Sequence, residues 1–70
     1  MASEYELREQ VLSMIQNDSQ ISAAVTEAIR LRKRDWLTNL VQTVATGMRI
    51  VNRVSQVIYS VVNWLVDLFS

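Results

Sequence analysis

A chain of 70 residues is one domain at most, and at this size a lone core buries only about 60% of the unfolded surface. There is no cysteine and no histidine, so disulfides and the common zinc frameworks are excluded, and any general base would have to be a carboxylate or a lysine. Seven basic and seven acidic residues cancel overall. They are segregated, however. Residues 1–29 hold five acids (Glu4, Glu6, Glu9, Asp18, Glu27) and one base (Arg8), whereas residues 30–70 hold six bases (Arg30, Arg32, Lys33, Arg34, Arg49, Arg53) and two acids (Asp35, Asp67). Halves of opposite sign attract, within a folded-back chain or between neighbours packed head to tail.

The first helix is predicted from about Glu4 to about Gln16. Ser3-Glu4-Tyr5-Glu6 fits a capping box, and acids in the first turns suit the positive end of the helix dipole. Leu7, Val11, Met14 and Ile15 follow at helical spacing. Asn17-Asp18-Ser19 is a turn signal in which Asp18 or Ser19 can cap the next helix. That helix begins near Gln20 and carries an apolar stripe of Ile21, Ala24, Val25, Ala28 and Ile29. The small residues permit close approach to the first helix, so an αα-hairpin is the expected N-terminal unit.

From Trp36 to Phe69 a heptad pattern runs through the chain. With Leu37 at position a, that series reads Leu37, Val44, Val51, Ile58, Leu65, and d reads Leu40, Gly47, Val54, Val61, Leu68. Position e carries Val41, Met48, Ser55, Val62 and Phe69, and g carries Trp36, Thr43, Ile50, Val57 and Trp64, so both are mostly apolar. The polar f series is Gln42, Arg49, Gln56, Asn63, Ser70. A sustained period near 3.5 predicts one long amphipathic helix over about 36–69, with a kink allowed near Gly47, and the polar run 30–35 before it reads as a charged stretch of helix continuous with the second or as a loose joint. The expected fold is therefore all-α: an N-terminal helical hairpin, then a long C-terminal helix, in an oligomeric bundle. Val57 to Trp64 is rich in strand-favouring residues, but its apolar pairs recur four apart, which is helical spacing. Gly47 can mark a kink, a hinge, or a close helix–helix approach with Thr43.

Because e and g are mostly apolar too, the stripe covers about half the helix circumference. One short hairpin is not expected to shield it, which implies a partner. The expected contact residues are Trp36, Leu37, Leu40, Val41, Val44, Met48, Val51, Val54, Ile58, Val61, Val62, Trp64, Leu65 and Leu68. The favoured function is structural: a scaffolding protein that self-associates or docks into a larger complex. The alternative is a membrane-active protein, interfacial or pore-forming. Basic residues followed by Trp36, with Tyr59 and Trp64 near the far end, resemble interfacial anchors. Arg49 and Arg53 would cost about 2.5–3.5 kcal/mol each at mid-bilayer, which argues against a lone spanning helix. A third reading uses Arg30, Arg32, Lys33 and Arg34 on nucleic-acid phosphates or anionic lipid headgroups. Against these stands a plain solvated segment with local pairs, Glu27 three before Arg30 and Asp35 three after Arg32.

No catalytic constellation, metal-ligand spacing or Gly-rich phosphate loop is present in the sequence. Neither an enzyme activity, a cofactor nor a small-molecule substrate is expected. The acidic N-terminus does not resemble a secretory signal, so cytoplasmic residence, with membrane association as the variant, is the default expectation.

Overall fold

A computed structural model describes residues 3–49 and 54–70, and the side chains of 4–49 and 56–70. The expected positions Ile50, Val51 and Arg53, and the side chains of Ser3 and Val54, lie outside the described set. Four helices follow in order: α1 (Ser3–Asn17), α2 (Ser19–Arg30), α3 (Arg34–Gly47) and α4 (Val54–Phe69). Helix α1 is supported by an Arg8–Glu4 pair one turn apart. A single residue links it to α2. Asp18 is extended there, and its carboxylate accepts from the Gln20 and Ile21 amides at 2.9 and 3.2 Å. Two of the orphan donors at the start of α2 are thus satisfied by one side chain.

The C-terminal half is not one long helix, and it is not continuous with α2. Helix α2 ends at Arg30, and Arg32 enters the left-handed region at φ 58°. The Lys33 amide then donates to the Ala28 carbonyl at 2.7 Å and the Arg32 amide to Ile29 at 3.2 Å. These are the paired bonds of a Schellman motif, which returns the last carbonyls of the helix to protein donors. Glycine usually occupies the left-handed position, so an arginine there gives no sequence signal for the helix end. Helix α3 is also followed by an arginine in the left-handed region. Its last residue is Gly47, Arg49 has φ 62°, and the Arg49 amide donates to Thr46 at 3.0 Å. A Cβ built at Gly47 meets nothing within 4 Å, so this glycine marks a helix end and not a close approach to another helix.

Helices α3 and α4 lie against each other and against α1 and α2, enclosing one apolar core within extents of 31 × 22 × 17 Å. Leu7, Val11 and Ile15 enter it from α1, and Val25 and Ala28 from α2. Leu37, Val41, Val44 and Ala45 enter from α3, and Ile58, Val61, Val62 and Leu65 from α4. Two helices folded back on a shared core display the same heptad pattern as one straight helix, because each must present its apolar positions inward. Part of the stripe is thereby shielded within the chain itself. Seven of the fourteen expected contact residues (Leu37, Val41, Val44, Ile58, Val61, Val62, Leu65) are buried inside this one chain.

Candidate functional site

Of the remaining expected contact residues, Leu40, Met48 and Trp64 pack at the margin of the core. Trp36 keeps 36% of its surface and Leu68 53%. Val51 lies outside the described residues, and Val54 is described only as the first residue of α4. The stripe is thereby divided into a core and a few separate exposed side chains.

The basic cluster sits on the α2–α3 turn. Arg30 pairs with Glu27 at 2.8 Å, the partner three residues before it. The counterpart pair of Arg32 with Asp35 does not form, because the chain leaves helical geometry between them. Lys33 is the N-cap of α3 and makes no side-chain capping bond. Arg34 begins α3, and its Nη2 donates to Asn63 Oδ1 on α4. Among the described residues, Arg32, Lys33 and Arg34 have no ion-pair partner. Leu31, in the middle of the run, remains 44% exposed.

Beside this turn the fold leaves a cavity of about 350 Å³. Buried Leu37 and half-buried Ile29 and Val66 line its apolar part, and exposed Arg32, Arg34 and Ser70 its polar part. The Schellman turn brings Arg32 and Arg34 to one opening, and α4 closes the other side. Holding a non-glycine residue left-handed costs about 1–2 kcal/mol, so this turn places a cation where glycine would be cheaper.

A second cluster joins α1 to α4, and its members are too far apart in sequence for any local pattern to show it. Glu4 Oε2 accepts from Arg8 Nη2 at 2.6 Å and from the Ser60 hydroxyl at 2.7 Å. The Ser60 hydrogen bond above all, with the Arg8 bond and charge, holds the Glu4 carboxyl below its ordinary value against the opposing effect of burial. The Arg8 guanidinium lies over the Trp64 ring, 5.1 Å from its centroid, a cation–π contact. Arg8 Nε is buried with no hydrogen-bond partner. Beyond this cluster, α1 presents Tyr5, 67% exposed, with exposed Glu6 and Glu9. Neither Glu6 nor Glu9 has an ion-pair partner among the described residues.

A second depression, about 280 Å³ and open, is lined by Asn39, Gln42, Thr43 and Thr46 on α3 and carries no charge. Among the described residues no three acidic side chains gather in a way that could hold a metal ion, and no helix is long and apolar enough to cross a membrane. Comparison of the chain with protein-family models, curated proteins and solved structures returned no match.

Proposed function

We propose that the chain is a structural helical assembly protein, without catalytic function, that associates with copies of itself. The observation that carries this reading is the α2–α3 turn, where cations without acidic partners border exposed Leu31 and Trp36. Clusters of this composition, apolar and arginine side chains together, are typical of protein contact surfaces. A lipid surface is the rival. It is less well served, because among the described residues most of the apolar stripe packs inward, and the exposed members Trp36 and Leu68 lie on different helices. Nucleic acid is served less well again, since three unpaired cations at one turn neutralise few phosphates.

The test is mass by light scattering over a concentration series, with helix content followed in parallel. Leu31 is about half exposed, so burying the rest of it is worth about 1 kcal/mol. Changing it to Ser should weaken association by about fivefold and leave helix content unchanged. A wild-type chain at monomer mass at about 1 mM, where even a contact worth about 4 kcal/mol would register, refutes the reading.

A further inference from the structure

Among the described residues, two surfaces of opposite sign have no intramolecular ion-pair partner: the α2–α3 turn, with Arg32 and Lys33, and the outer face of α1, with Glu6 and Glu9. Each also carries an exposed apolar side chain, Leu31 on the turn and Tyr5 on α1. The two surfaces flank α4 on different sides. Ser60 and Trp64 of α4 face α1, whereas Asn63 and Val66 face the basic turn. At about 100° per helical residue, the mean direction of Ser60 and Trp64 lies about 110° from that of Asn63 and Val66. Tyr5 and Glu9 are one turn apart on α1 with Glu6 beside them, all directed away from buried Leu7 and Val11.

We infer that the self-association proposed above is head to tail, with the basic α2–α3 turn of one copy seated on the Tyr5–Glu6–Glu9 face of α1 of the next. Either surface placed against itself brings like charges together, which disfavours a contact between identical patches. Complementary patches on different flanks form a heterologous contact, and such contacts propagate into rings or filaments. The occupant is thus a second copy of this chain, chosen by charge.

The experiment uses the full chain in three charge-reversed forms, each checked for unchanged helix content. Arg32→Glu with Lys33→Glu leaves both surfaces acidic, and Glu6→Lys with Glu9→Lys leaves both basic. Each form alone should lose association by at least about tenfold. An equimolar mixture of the two should recover it, and the chain carrying all four changes should assemble like the wild type. Wild-type particles should grow past dimer mass with concentration and weaken as salt rises from about 20 to about 500 mM, because screening shortens the reach of charge.

If the wild type assembles but both reversed forms keep its mass, the head-to-tail contact is wrong while self-association stands. Growth that stops at a dimer, or a mixture that stays dissociated, also overturns it. A wild-type chain that remains a monomer removes both this inference and the function on which it rests. A monomer that co-sediments with phosphatidylserine vesicles through Arg32 and Lys33 assigns the turn to lipid and overturns it likewise.

Discussion

Replacing Arg32 by Gly should stabilise the protein. Arg32 is left-handed at φ 58°, a conformation that costs about 1–2 kcal/mol for a residue with a Cβ. Glycine removes that cost but adds about 0.5–1 kcal/mol of backbone entropy lost on folding, so the net gain is about 0.75 kcal/mol, within a range of about 0–1.5. The Lys33–Ala28 and Arg32–Ile29 backbone bonds of the turn are retained. Arg32→Ala is the control: it removes the same charge but keeps the strained backbone, so its stability should lie near that of the wild type. In thermal unfolding followed by circular dichroism, a gain of this size raises Tm by roughly 2–8 °C in a domain this small. Because both variants lose the charge, only the difference between them reports the backbone. An Arg32→Gly variant no more stable than Arg32→Ala would refute the left-handed Schellman turn.

Leu65 is fully buried in α4, so Leu65→Ala should cost about 2–5 kcal/mol; with roughly 3.5–10 kcal/mol available to a chain of 70 residues, urea titration should show a large loss of stability or an unfolded chain. Asp18→Ala removes the cap bonds to Gln20 and Ile21 and should cost about 1 kcal/mol in the same titration. For Glu4 the folded-state pKa is depressed, so the stability it contributes is present at neutral pH and is lost as pH falls through the folded value. The Tm difference between wild type and Glu4→Gln should therefore be constant from pH 7 to about 5.5 and shrink as pH falls below the ordinary carboxyl value of 4.5. A difference that widens on acidification would contradict the Ser60 and Arg8 contacts.

The all-helical class and the N-terminal hairpin were legible because their signals are local. Predicted bounds of Glu4 to Gln16, and a second start near Gln20, lie within a residue of α1 and α2, and Asp18 was one of two cap candidates. The breaks in the C-terminal half were legible only in part: Gly47, offered as a kink or hinge, is the last residue of α3, whereas the polar run 30–35 could not be told apart from a charged stretch of continuous helix. Sequence punctuation relies on glycine and proline, whereas both α2 and α3 are followed by an arginine in the left-handed region. Hydrophobic period gives no help either, since it records which side of a helix faces inward and not whether that helix doubles back. The basic cluster could be placed on a polar segment, and the Arg30–Glu27 pair follows from spacing alone. The failure of Arg32 to reach Asp35 does not, because it depends on the turn. The Glu4–Ser60 and Arg34–Asn63 bonds join residues 56 and 29 apart, beyond any local pattern.

Spin labels at Arg34 and Asn63, in chains diluted with unlabelled protein, would measure directly whether the C-terminal half folds back on itself. The bundle places these two side chains in hydrogen-bonding contact, so the account predicts a distance at the short end of the measurable range. An uninterrupted helix would separate the same positions by 29 residues at a rise of 1.5 Å each, about 44 Å. A distribution centred there would contradict the folded-back core and, with it, the assignment of the charged surfaces as the parts left for partners.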